Sequence, residues 1–193
     1  MKTGYWVAGI VAGAVVAPVF GRDVARVAAD KETVIEAVAY TTTRTRDDHA
    51  WKKIKSQRKD MPDCIWAGPA NNKVYDLNKA NFEKTSPSAV YELNFDKPGT
   101  YYVWINGLGG SGDASVAVGF DGALIKSVLV GFFPPKYTWL GVFNNGERIR
   151  VDVQKTGVHT LGLWMVEDGV RISKILITPD AAFKGPPPAL LKR

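Results

Sequence analysis

The chain has 193 residues, 46% of them apolar, 23% charged and 11% aromatic, and a formal net charge of +6. The apolar fraction excludes a disordered protein, and the single cysteine, Cys64, excludes an intramolecular disulfide framework or a cysteine-rich zinc site. A chain of this length forms one domain with appendages and buries about 70% of the surface exposed when unfolded.

In chain order, the first feature is an uncharged run of 18 residues from Gly4 to Gly21. As a helix it would rise roughly 27 Å, at the short limit for spanning a bilayer. Three readings stay open. It is a secretory signal, with Lys2 as its positive start and Tyr5 to Ala17 as its apolar stretch. Or it is a retained anchor or assembly helix, because Gly9, Gly13 and Ala17 form a row of small residues that lets helices approach closely. Or it is a segment of the soluble fold. Residues 22–33 form a linker in which Val24, Val27 and Ala28 fall at helical spacing and predict a short helix. The stretch VIEAVAY, residues 34–40, predicts a strand.

Between Arg44 and Asp60 lie seven basic residues (Arg44, Arg46, Lys52, Lys53, Lys55, Arg58, Lys59) against three acidic ones, with Trp51 in the middle. Clustered lysine and arginine contact nucleic-acid phosphates, but no recognised motif accompanies this charge, and a solvated loop is the ordinary explanation. A nucleic-acid partner is therefore not expected.

Past Met61 the pattern is a succession of short strands: 73–77, 88–95, 100–106, 114–121, 124–130, 138–143, 147–154, 158–166 and 170–178. Turn residues such as Lys97-Pro98-Gly99, Asp121-Gly122 and Asn144-Asn145-Gly146 separate them. Ile149, Val151 and Val153 alternate with Arg148, Arg150 and Asp152, and Ala89, Tyr91, Leu93 and Phe95 alternate with polar neighbours. Such strands, with no helical crossovers, predict an all-β antiparallel sandwich over residues 34–180. The tail, 181–193, ends the domain, with Gly185-Pro186-Pro187-Pro188 extended and outside the core.

Three stretches taken in order resemble the jelly-roll carbohydrate-binding modules of the family six and family thirty-five type: VIEAVAY, residues 97–122 (KPGTYYVWINGLGGSGDASVAVGFDG), and residues 138–180, which include GVHTLGLW. The resemblance implies a non-enzymatic sandwich that binds a glycan or polysaccharide in loops at one end or on a concave face. A pyranose stacks its C–H face on aromatic rings and needs a few placed polar groups. The resemblance assigns Tyr137 to the stacking aromatic, Trp139 to a core tryptophan beside it, Trp66 to the opposing ring, and Arg171 to a position where the family often has asparagine. It also implies a structural calcium. Glu36 matches the first acidic ligand, but Val38 and Ser173 stand where two others are expected, leaving the site short of the oxygens calcium requires. No other cofactor is expected. Trp104 and Trp164 are read as core.

Catalysis is not expected. Asp113, Asp121, Glu147, Asp152, Glu167 and Asp168 occupy turn or alternating surface positions, where solvated charge explains them. His159 is read as structural. The glycine-rich run GLGGSGD is followed by a strand rather than the helix a phosphate loop needs. Two functions remain. One is an exported module, extracellular or on the cell surface, that binds a glycan without altering it. The other is a structural or decoration subunit of a larger assembly, such as a virion or surface filament, self-associating or docking through residues 1–33 and the tail. Jelly rolls serve both purposes.

Overall fold

A computed structural model describes residues 24–110 and 114–186. The apolar segment 1–21, Asp113 and residues 187–193 lie outside the described residues, and with them most of the features on which the assembly reading rests.

Fourteen strands form the described chain: β1 (Ala25–Val27), β2 (Thr33–Glu36), β3 (Thr42–Arg44), β4 (Ala50–Ile54), β5 (Cys64–Gly68), β6 (Ser88–Phe95), β7 (Gly99–Leu108), β8 (Ser115–Phe120), β9 (Ala123–Leu124), β10 (Val130–Gly131), β11 (Thr138–Leu140), β12 (Arg150–Val153), β13 (Gly157–Met165) and β14 (Arg171–Thr178). One helical turn, α1 (Phe82–Thr85), precedes β6. The first sheet runs β1-β6-β13-β8-β10, with β3 also on β6 and β9 on β8; the second runs β11-β7-β14-β5-β4, with β12 also on β7 and β2 on β14. Every pairing is antiparallel except β1 on β6. The two sheets pack face to face, the sandwich expected from the alternation.

The alternation that predicts this arrangement is visible in the burial. Ala89, Tyr91, Leu93 and Phe95 of β6 are all within 1% of full burial, and they face a core that includes Val103, Ile105, Ile172, Ile175 and Ile177. Each buried Val, Leu, Ile or Phe side chain among them contributes about 1.5–3 kcal/mol by leaving water. The register of β14 against β7 shifts between Ile172 and Lys174, so Ser173 forms a bulge. The bulge lets Ile172 and Ile175 both face inward while Arg171 points to the outer face.

Four expectations are corrected. The predicted helix in 22–33 is instead β1, because Leu93 to Phe95 offer a sheet edge that three residues can pair with. The basic run read as a solvated loop contains β4, in which Trp51 is 1% exposed while Lys52, Lys53 and Ile54 face outward. The strand predicted at 34–40 stops at Glu36 and gives way to a 3-10 turn, Ala37–Ala39. Residues 73–77 provide one bridge, Val74 to Glu167, and 124–130 hold only the end of β9 and the start of β10.

Candidate functional site

The outer face of the second sheet carries the aromatic residues of interest. On β4 and β5, Trp51 and Ala67 pair and are buried inward, so their neighbours Lys52 and Trp66, which also pair, point out. Trp66 pairs in turn with Arg171, the first residue of β14. Lys52, Trp66 and Arg171 therefore form one cross-strand row, with the half-buried indole between two exposed cations. The Lys52 ammonium lies 5.7 Å from the Trp66 ring centroid, within cation–π range. The ring lies flat because residue 68 is glycine: a Cβ there would come within 2.5 Å of the Trp66 six-membered ring.

Tyr137 precedes β11 and lies beside the thiol of Cys64, on the same side of β5 as Trp66. Burial, reinforced by that thiol, pushes the Tyr137 hydroxyl well above a free tyrosine, with Arg171 opposing. Burial likewise raises the Cys64 thiol, against Tyr137 and Arg171, so this cysteine is a packed group and not a reactive one. The three residues proposed as ligand contacts, Trp66, Tyr137 and Arg171, thus share one end of one sheet face.

The metal position does not fit calcium. Glu36 is ion-paired with Lys174 at 3.3 Å, and Lys174 is itself largely buried. The Ser173 hydroxyl donates to Asn106. One carboxylate already neutralised by an ammonium is the reverse of the oxygen-rich, anionic cage calcium takes. No group of three acidic, histidine or cysteine side chains able to hold a metal occurs among the described residues.

Three further expectations change: Trp104 and Trp139, both expected in the core, lie on the outer face, and Asp168 is buried. Trp104 is not in the sandwich core. Tyr101, Val103 and Ile105 point inward, so Trp104 points out, its ring seated on Gly141 and met edge-on by Phe183 at 5.9 Å. Trp139 pairs with Asn106 and shares that outer face. Trp164 is buried as expected, but on the side of β13 away from Leu161 and Leu163, lying over Gly162 and Gly119 with its Nε1 donating to the Glu83 carbonyl. A groove of about 440 Å³ above it, edged by Arg44, Lys84, Ser88 and Thr160, therefore presents little open ring. Asp168, read as a solvated carboxylate, is buried to 7% side-chain exposure and bound by His49. His159 is structural, as expected: Nδ1 bonds Asp121 at 2.7 Å and Nε2 the Lys155 carbonyl at 2.9 Å.

Sequence reasoning missed Lys52 and His49 as parts of this region. Lys52 acquires its place only through the register of β4 on β5, which nothing local to Lys52 announces.

The two face-packed antiparallel sheets form a jelly-roll sandwich of the kind found in solved carbohydrate-binding modules. The fold is shared with the C-terminal family six carbohydrate-binding module of LamC, a marine laminarinase from Zobellia galactanivorans, at a TM-score of 0.51 and 15% identity, covering 77% of this chain and 99% of that one. It is also shared with a family 35 carbohydrate-binding module from Clostridium thermocellum, at a TM-score of 0.51 and 8% identity, covering 78% and 99%. The chain belongs to the glycosyl hydrolase family 115 C-terminal domain family, whose profile matches residues 27–187. A curated relative, uncharacterized protein P23 of Formosa agariphila, is 29% identical over 111 residues, which are 50% of this chain and 27% of that protein. The match thus spans about a quarter of the relative's length.

Proposed function

We propose that this chain is a non-catalytic module that binds polysaccharide at the Trp66 end of the second sheet, and that the sugars it prefers carry carboxylate or sulfate groups. The observation that carries the reading is the row Lys52, Trp66, Arg171: an indole laid flat by Gly68 and flanked on both neighbouring strands by cations. A flat indole supplies dispersion and C–H contact to a pyranose face. The two cations supply what a neutral sugar does not need, and a guanidinium matches a carboxylate or sulfate with paired N–H donors. Tyr137, beside Cys64, bounds the same end.

The fold shared with carbohydrate-binding modules supports binding, and the groups beside Trp66 support binding without hydrolysis. Glycoside hydrolysis needs two carboxyl groups flanking the bond to be cleaved. Here the flanking groups are Lys52 and Arg171, and the neighbouring Asp168 is engaged by His49 and two backbone N–H groups. Polysaccharides of this kind are met outside the cell, so the reading carries an extracellular or cell-surface location.

The test is affinity electrophoresis and calorimetry against matched polysaccharides, neutral, uronate-bearing and sulfated. Retention by the charged polymers, weakening with salt and lost in Arg171→Gln, is expected. Equal retention by neutral polymers, or none by any, refutes the charge preference in the first case and the binding reading in the second.

A further inference from the structure

The end of the sheet that holds Trp66 and Arg171 is tied to the chain behind it by one histidine. The connection from β3 to β4, residues 45–49, contains a two-residue turn, Asp47 and Asp48, both with positive φ (48° and 64°), closed by reciprocal backbone bonds between Arg46 and His49. A tight turn of this kind fixes where His49 begins. The His49 side chain is 4% exposed. Its Nδ1 lies 2.9 Å from the Asp47 carbonyl, and its Nε2 lies 3.0 Å from Asn71 Oδ1 and 3.3 Å from Asp168 Oδ2. A carbonyl and a carboxylate only accept, so both ring nitrogens face acceptors whichever way the Asn71 amide is turned. A neutral imidazole would set one lone pair against an oxygen; the imidazolium satisfies both.

Asp168 Oδ2 also accepts from the backbone N–H of Asn71 at 2.7 Å and of Lys73 at 2.9 Å. His49 therefore joins the β3–β4 turn, the segment after β5 and the turn before β14. That last turn is stitched to β5 directly beside Trp66: Gly169 N–H donates to the Ala67 carbonyl at 2.7 Å, and Ala67 N–H to the Val170 carbonyl at 2.9 Å. Arg171 is the next residue. The other charged or titratable groups around the ring are already engaged. Lys73 pairs with Asp47 at 3.1 Å and lies over Tyr75. Tyr75 meets His49 edge-on and donates to the Arg46 carbonyl. The Arg46 side chain turns away to Lys84 and Thr45 carbonyls, and Asp48 sits at the turn.

We propose that the doubly protonated His49 ring is a positioning group for the polysaccharide site, so that binding weakens as the ring loses its proton. This rests on the reading of the Trp66 end as the site and adds its regulation. Electrostatics agree with the geometry: burial opposes the charge on His49, but the bonds to Asp47, Asp168 and Asn71 outweigh it and raise the histidine above its free value. For Asp168, burial is outweighed by the two backbone N–H groups and His49, and its carboxyl is lowered. A raised histidine contributes while it is protonated and the contribution is lost as pH rises through its folded value. A lowered carboxylate contributes above its free value and is lost as pH falls through its folded one. The clip is intact between those two limits.

The experiment measures binding of a sulfated polysaccharide, whose charge does not titrate in this range, between about pH 5.5 and about pH 9, together with the ring ¹⁵N shifts of both histidines. For the unsubstituted chain, affinity should fall at least about fivefold across the range, the low end of coupling between linked groups. The midpoint should coincide with the His49 ring titration. His49→Gln should bind at the weaker, high-pH level throughout, while His159→Gln should keep the step. A pH-independent affinity in the wild-type protein, a step retained in His49→Gln, or a His49 ring already neutral at about pH 6 overturns the proposal. The ring shifts need no substitution, so they decide the matter even if His49→Gln fails to fold. Absence of binding at every pH would instead count against the polysaccharide reading, leaving the ring titration to judge the clip.

Discussion

Trp66 and Trp104 are set into the outer face of the same sheet by the same device, and they end in different circumstances. Each ring lies flat on a glycine, Gly68 or Gly141, where a Cβ would come within 2.5 Å of the indole. Over Trp66 the Lys52 ammonium lies 5.7 Å from the ring centroid. Above Trp104 the chain returns. Phe183 meets it edge-on, Gly185 packs close to its six-membered ring, and Arg148, which lies over Tyr102, donates to the Ala181 and Phe183 carbonyls. Both indoles are half-buried; what separates them is the C-terminal segment packed against Trp104 and, under the function proposed above, the use of Trp66 in recognition.

This division is tested most strongly at the covered end. Trp104→Ala removes a ring held between Gly141, Phe183 and Gly185, and should cost about 3 kcal/mol, lowering the melting temperature by about 6–12 °C for a domain of this size. Thermal and urea melts measure it. A change below about 1 kcal/mol would mean that the C-terminal segment contributes no packing there, and the contrast with Trp66 would fail. Trp66→Ala should do the opposite: stability within about 1 kcal/mol of the parent, polysaccharide affinity reduced by about tenfold or more, as expected for an aromatic anchor in a binding face. Loss of stability equal to that of Trp104→Ala would identify Trp66 as a packing residue.

The contrast also shows what the sequence made legible. Strands with one wet face announce themselves, and β6, β12, β13 and β14 fall close to where alternation puts them. The same rule, applied strictly, places Trp104 outside, because Tyr101, Val103 and Ile105 are the inward set; its size and apolar neighbours argued for the core. β4 was hidden because only Trp51 of its five residues is buried, a charge-rich edge strand that reads as loop. β5 was hidden for the reverse reason: four of its five residues are buried, so no alternation marks it, and it is short. Trp66, Tyr137 and Arg171 could be named from resemblance alone, whereas the cation on the far side of Trp66 depends on the pairing of β4 with β5. His49 joins three segments distant in sequence, and no local pattern encodes that.

The finest test of the covered end concerns its polar groups. The indole N–H groups of Trp104 and Trp139 and the side-chain NH2 of Asn106 are buried without a hydrogen-bond partner among the described residues. Trp139 and Asn106 are directly opposed on β11 and β7, and Trp104 lies two residues from Asn106 on the same face. A buried donor left unpaired costs about 1–3 kcal/mol, whereas an apolar group of similar shape there costs little. Trp139→Phe removes one such donor together with part of a ring, so the loss of packing and the relief of the orphaned N–H should nearly cancel. The expected change in unfolding free energy is within about 1 kcal/mol, against about 3 kcal/mol for Trp104→Ala. A penalty as large as that of Trp104→Ala would show that the Trp139 N–H is satisfied in solution.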